Sequence, residues 1–128
     1  MRDVRLSDLP GRPCPIAAAL ELVGDRWSLL IVRELWLGAT RFGEIVVGTG
    51  APRDRIAARL KALEDADVIT RTAYQASPPR FDYHLTTAGM KLAPVLDALL
   101  TWGMAHAVSD DDPHRTDFRS IRRTERAP

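Results

Sequence analysis

Between Val68 and Leu85 the hydrophobic pattern changes period, and that change constrains the fold more than any other feature of the chain. Before it, apolar residues recur at helical spacing. Ile56, Leu60 and Leu63 form the clearest stripe, at i, i+4 and i+7. Within it, Val68–Tyr74 is predicted as a strand and Gln75–Arg80, with Ser77–Pro78–Pro79, as a turn. Phe81, Tyr83 and Leu85 then alternate with Asp82 and His84, which makes a second strand. After it, Leu92, Val95, Leu96, Leu99 and Trp102 return to helical spacing. One hairpin set among helices predicts a mainly α chain with a small β-hairpin.

Capping chemistry sets the helix boundaries. Pro15 suits a first helical turn, where its missing N–H costs nothing, and Ile16, Leu20 and Val23 share a stripe that Gly24 closes. Asp25 is the expected N-cap of a second helix running through Trp36 and ended by Gly38. Its stretch Leu29–Leu30–Ile31–Val32 is apolar on several sides, as in a central buried helix. Thr40 is the expected cap of a short third helix with Phe42, Ile45 and Val46 inward and Gly48 as its stop. Gly48–Thr49–Gly50 is read as a turn, and Pro52 takes a first helical position in a fourth helix, Pro52–Ala66. Thr86 or Thr87 caps the last helix, which Pro94 must bend or interrupt. The order is helix, helix, helix–turn–helix, hairpin, helix. That is a winged helix-turn-helix with an added helix at each end. Residues 1–13 form an N-terminal arm, 14–107 the domain, and 108–128 a polar tail expected to be mobile.

At 128 residues the chain is one domain's worth, long enough to bury a core without cross-links. No apolar run approaches the ~20 residues of a membrane span, and Met1–Pro13 has no apolar core of a signal peptide. A single cysteine rules out an internal disulfide and makes the cytoplasm the expected compartment, with no membrane partner. The net charge is only +1, but Arg41, Arg53, Arg55, Arg59 and Lys61 against Glu44 and Asp54 leave a local excess of three positives. Glu64, Asp65 and Asp67 then cancel it.

In a helix-turn-helix the second helix lies in the DNA major groove with its N-terminal residues nearest the bases. A helical wheel of Pro52–Ala66 with Ile56 inward puts Asp54, Arg55, Ala58, Lys61 and Ala62 outside, and Arg53 and Arg59 on the flanks. Small Ala58 and Ala62 allow close approach to the groove floor, and Arg55 can bond guanine O6 and N7 together. Taken alone, this basic face fits a solvated surface at least as well. The hairpin that follows shifts the balance, with Arg71 on its strand and Arg80 at its tip, where an arginine can flank a minor groove. Double-stranded DNA is therefore the expected partner, through Arg41, Arg53, Asp54, Arg55, Ala58, Arg59, Lys61, Arg71 and Arg80.

Ordered short motifs carry a resemblance. Cys14–Pro15, Gly24–Asp25–Arg26–Trp27, Arg41–Phe42–Gly43–Glu44–Ile45, Arg59–Leu60–Lys61–Ala62–Leu63–Glu64, Tyr83–His84–Leu85–Thr86 with Gly89, and Trp102 follow one another along the chain. Together, over about Arg12 to His106, they resemble the HxlR-type winged helix-turn-helix regulators. The resemblance implies a homodimeric bacterial transcription factor whose first and last helices form the dimer interface and whose operators are pseudo-palindromic. It also implies that Trp27 and Trp102 are packing residues. One departure stands out: Asp67 occupies a position where the family usually has glycine, and a left-handed cap costs a non-glycine residue about 1–2 kcal/mol, less for Asp.

Cys14 stands before the first helix between Pro13 and Pro15 with Arg12 nearby. A thiol at a helix N-terminus beside a cation can gain reactivity. Some HxlR-type regulators sense oxidants or electrophiles through a cysteine at this place, which makes Cys14 a candidate sensor. Packing at a dimer interface explains it too. His84, His106 and His114 have no ligand spacing, the acidic run Asp110–Asp112 reads as solvated, and no metal, cofactor or catalytic constellation is expected. Glu44 is read as a cap or surface residue. A pocket for an unknown small-molecule effector would be lined by Trp36, Tyr83 and Trp102, residues equally explicable as core. The competing function is a winged helix that binds a partner protein instead of DNA.

Overall fold

The computed structural model describes residues 3–118. A single 3-10 turn at Leu6–Asp8 precedes helix α1 (Pro15–Val23), whose first turn holds Pro15 as predicted. Helix α2 (Ser28–Trp36) begins three residues after Asp25, yet Asp25 still caps it from the preceding turn. Its carboxylate accepts the N–H groups of Trp27 and Ser28, both at 3.0 Å, and the buried Ser28 hydroxyl. Ile31, Val32 and Leu35 are fully buried, so α2 is the central helix that its apolar composition predicted.

Helix α3 (Phe42–Thr49) departs from expectation at both ends. Thr40 does not cap it; Arg41 holds the N-cap position, and Glu44 Oε1 accepts the N–H groups of Thr40 (3.0 Å) and Arg41 (2.9 Å). The helix also runs through Gly48 and ends at Gly50, so Gly48 and Thr49 are helical and not a turn. Of these two glycines, Gly50 has the left-handed backbone, φ 72°, that calls for glycine at a helix end. Gly48 answers a different need, since a Cβ there would collide with the Glu34 side chain.

Helix α4 (Arg53–Asp65) starts one residue after Pro52, which is its N-cap and not its first helical residue. Ile56, Leu60 and Leu63 are buried as their spacing required. The C-terminal end is a Schellman motif: Val68 N–H donates to Leu63 O (2.9 Å) and Asp67 N–H to Glu64 O (3.0 Å). Asp67 has φ 63°, the left-handed conformation that the glycine preference at this position implied.

The hairpin is longer than predicted. Strands β1 (Ile69–Ala76) and β2 (Pro79–Leu85) pair antiparallel from Ile69↔Leu85 to Ala76↔Pro79, which shrinks the turn from Gln75–Arg80 to Ser77–Pro78. Arg80 therefore lies in β2, opposite Gln75, and still close to the tip. The register shifts between Ala73 and Gln75, so Tyr74 is the extra residue of a β-bulge, a device that re-aims a side chain.

Pro94 interrupts the final helical pattern. A short α5 (Thr87–Met90) is capped by Thr86, whose Oγ1 accepts the Gly89 N–H at 3.1 Å, and Pro94 sits in the first turn of α6 (Ala93–His106). Thr86 Oγ1 also donates to the carbonyls of Asp67 (2.7 Å) and Val68 (3.0 Å), tying α5 to the start of the wing. Gly89 is required here, because a Cβ would run into the Val68 carbonyl. The core joins Val23, Ile31, Leu35, Ile45, Ile56, Leu63, Ile69 and Leu85, while α6 contributes only Leu96 as a buried residue.

Trp102 does not pack within the chain as expected. It is 62% exposed, in line with Leu99 (50%) on α6 and Ile16 (72%) and Leu20 (57%) on α1. Trp27, by contrast, is half-buried against the core. Residues 108–118 follow α6 as locally bonded turns, such as Asp112 N–H to Ser109 O at 3.1 Å. Residues 1–2 and 119–128, the rest of the expected arm and tail, lie outside the described residues.

Candidate nucleic-acid interface

Helices α3 and α4 make the helix-turn-helix, and the β1–β2 hairpin stands beside it. On α4, Arg53, Asp54, Arg55, Ala58 and Lys61 are exposed, as the wheel required. Ala62 is half-buried, and Ala57 takes its place among the small outward residues, a shift within the error of an ideal wheel. Lys61 Nζ is 3.9 Å from Asp65 Oδ2, one turn on, in an exposed pair that neither residue is held by.

The candidate arginines divide into tethered and untethered. Arg59 is half-buried, with Nη1 3.3 Å from Asp25 Oδ1, so it joins α4 to the α1–α2 turn. Burial raises the Asp25 carboxyl, but the bonds from Ser28 and the backbone N–H groups of Trp27 and Ser28, with Arg59, hold it below its ordinary value. Arg71 Nε lies 3.3 Å from Glu64, and its guanidinium covers the Phe81 ring at 4.1 Å. Arg41 Nε donates to Asp82 Oδ1 at 2.6 Å, with its guanidinium 3.6 Å over the bulged Tyr74 ring. That bond raises the Arg41 pKa, and the backbone N–H groups of Thr40 and Arg41 lower that of Glu44. Arg53 lies 4.8 Å over Phe42. Among the described residues, the side chains of Arg55 and Arg80 have no ion pair or stacked ring. Sequence reading missed Tyr74 and Asp82, whose roles depend on the bulge and on contacts across 41 residues.

Between α3, the start of α4 and the wing lies an open groove of about 480 Å³, lined by Arg41, Phe42, Arg53, Tyr74, Arg80 and Phe81. Three guanidiniums and, with Tyr83, four aromatic rings facing one groove give it a cationic lining on apolar walls. Trp36, Tyr83 and Trp102 do not come together in any of the cavities described; Tyr83 faces the wing groove. Among the described residues no cluster of three His, Cys, Asp or Glu could hold a metal ion, and no helix is long and apolar enough to cross a membrane.

The family model described as HxlR-like helix-turn-helix matches residues 22–111, from the end of α1 through all of α6. The chain belongs to the HxlR-like helix-turn-helix family. An uncharacterized HTH-type transcriptional regulator of Mycobacterium tuberculosis is 38% identical over 98 residues, which are 77% of this chain and 62% of the relative. This HxlR-like chain thus spans about three-fifths of the length of that relative. The crystal structure of PA1607 superposes with a TM-score of 0.72 at 38% identity, covering 79% of this chain and 70% of the other. The reduced form of the transcriptional regulator YodB of Bacillus subtilis is 31% identical with a TM-score of 0.61, covering 73% and 94%. YodB has also been crystallised after diamide treatment. The architecture is accordingly that of a winged helix-turn-helix.

Proposed function

We propose that this HxlR-like chain is a sequence-specific, DNA-binding transcriptional regulator that acts as a homodimer. The groove between α4 and the wing carries the proposal, because its three arginines fit a phosphate backbone and the exposed start of α4 suits entry into a major groove. In this reading Arg55 reads base edges. Arg53, Arg80 and Lys61 hold phosphates. Arg41 and Arg71 line the wing side, tethered by Asp82 and Glu64, and Arg59 positions α4 through Asp25 instead of touching DNA. Ala57 and Ala58 allow close approach, and Asp54 discriminates against wrong bases. In this reading the second copy covers Ile16, Leu20, Leu99 and Trp102, exposed apolar residues on the two terminal helices.

Fluorescence anisotropy with duplex DNA at graded salt tests the reading. Affinity should fall steeply from low to moderate salt as counterions are released. Arg55→Ala should relax sequence preference, and Arg80→Ala should weaken binding evenly. No detectable binding to random duplex at low salt would favour a protein-interaction module instead.

One observation favours a second layer of control. Cys14 is the N-cap of α1, half-buried, with Sγ accepting the Ala17 N–H at 3.4 Å, on a helix whose apolar face is open. We propose that oxidation or alkylation of Cys14 shifts the dimer and so the DNA affinity, a reading supported by the reduced and diamide-treated forms of YodB. Unchanged affinity of wild type after diamide, matched by Cys14→Ser, contradicts it.

A further inference from the structure

Helices α2 and α6 and residues 108–118 line an open cavity of about 490 Å³. Its walls are Leu29 and Leu30 of α2, Leu96, Leu100 and Met104 of α6, and Phe118, and Leu99, assigned above to the surface a second copy covers, also lines it. Small-molecule sites are concave, mostly apolar and roughly 300–1,000 Å³, with a few polar groups to orient the ligand. This cavity has that size and those walls.

The polar groups at its edge narrow the chemistry. Arg33 donates through Nε to Glu34 and through Nη2 to the Gly48 carbonyl, both at 2.8 Å. Arg115 Nη1 is 3.5 Å from Asp110, and His114 Nδ1 is 3.1 Å from Asp117. Asp112 Oδ1 accepts the His114 backbone N–H at 2.8 Å. The basic side chains around the cavity, Arg33, His114 and Arg115, therefore each have a carboxylate partner within the fold. An anionic ligand would lose its water and meet no unmatched positive charge, which is unfavourable. An uncharged ligand loses nothing of the kind and gains the apolar walls.

We propose that this cavity is a binding site for a small, largely apolar molecule of up to three rings that carries no negative charge. It differs from the Trp36, Tyr83 and Trp102 pocket expected from sequence, and it does not depend on DNA binding. The occupant would sit where α2, the core helix packed on α3 and α4, meets α6, the helix with the open apolar face.

Two fluorescent probes with the same rings test it on the full chain. N-phenyl-1-naphthylamine is neutral, and 8-anilinonaphthalene-1-sulfonate adds one negative charge. The neutral probe should bind saturably, one per chain, and at least tenfold more tightly than the sulfonate. Leu30→Trp and Met104→Trp fill the cavity from opposite walls, and each should weaken the neutral probe at least tenfold with an unchanged circular dichroism spectrum. Should either variant fail to fold, wild type suffices: the Met104 methyl resonance should shift on saturation with the neutral probe. The proposal is overturned by absence of saturable binding, by equal affinity for the two probes, by wild-type binding in both folded variants, or by an unmoved Met104 signal. Probe binding that disappears as the protein concentration rises would show that a second copy fills the cavity, and would overturn it as well.

Discussion

Helices α4 and α6 are nearly equal in length, 13 and 14 residues, and use their apolar residues in opposite ways. In α4 the apolar stripe Ile56, Leu60 and Leu63 is buried against α2 and the wing, so the outer face is left to charges and alanines. In α6 only Leu96 is buried, while Val95, Leu99 and Trp102 point outward. The lesson concerns partners. A helix whose apolar face is fully matched inside the chain presents a surface for a polar, charged ligand; a helix with apolar residues left outside presents one for another apolar surface. α4 suits DNA, and α6, with α1, suits a second copy.

The contrast can be broken first on the inward side of α4. Leu60→Ala should cost about 2–5 kcal/mol of stability in urea denaturation, because the buried site cannot collapse fully. Trp102→Ala should instead leave the stability of the dilute chain within about 0.5 kcal/mol. Its effect belongs in sedimentation equilibrium, as a loss of about 2 kcal/mol or more of self-association, the size of an interface hot spot. Equal stability losses for the two variants would erase the distinction between the helices.

Within α4, Arg55→Ala should reduce discrimination between DNA sequences by about 1–3 kcal/mol in competition binding. Arg59→Ala should lower affinity for all sequences alike and reduce thermal stability, since Asp25 loses its cation. A change of sequence preference in Arg59→Ala would place that side chain on the bases instead.

The Asp25 cap has a pH signature. Its carboxyl is held below the ordinary value, so its stabilisation is complete above the unfolded pKa of about 3.9 and fades as pH falls through the lower folded value. Asp25→Ala should cost about 1 kcal/mol at neutral pH. That difference from wild type should shrink in denaturation as pH is lowered below the unfolded pKa of about 3.9 and the aspartate takes up its proton. The smallest effect is at the other end of α4. Asp67→Gly should raise stability by about 0.5 kcal/mol, as relief of left-handed strain exceeds the added chain entropy of glycine.

Much of the fold was legible because it rests on local rules. The i, i+4, i+7 stripe of α4, the change of period at Val68 and the break before Pro94 are each written within a dozen residues. The left-handed Asp67 was legible too, once the family's glycine preference was applied to it. Ambiguity arose where one residue type answers two needs. Gly48 and Gly50 look alike in sequence, but one makes room for Glu34 and the other supplies a positive φ. The tethering of the arginines was not legible, because Arg59 meets Asp25 and Arg41 meets Asp82 only through the tertiary fold. The openness of Trp102 was not legible either, because helical spacing marks an apolar face without saying whether the same chain or another covers it.

The division between the two helices meets its most direct test in the mass of a DNA complex. Duplexes selected from a random pool for binding to the wild-type chain would be weighed with and without protein by sedimentation velocity. Two chains per duplex are predicted, on a two-fold sequence with half-sites about one helical turn apart, falling to one chain or none in Trp102→Glu. One wild-type chain on an asymmetric sequence, unchanged by Trp102→Glu, would contradict the account.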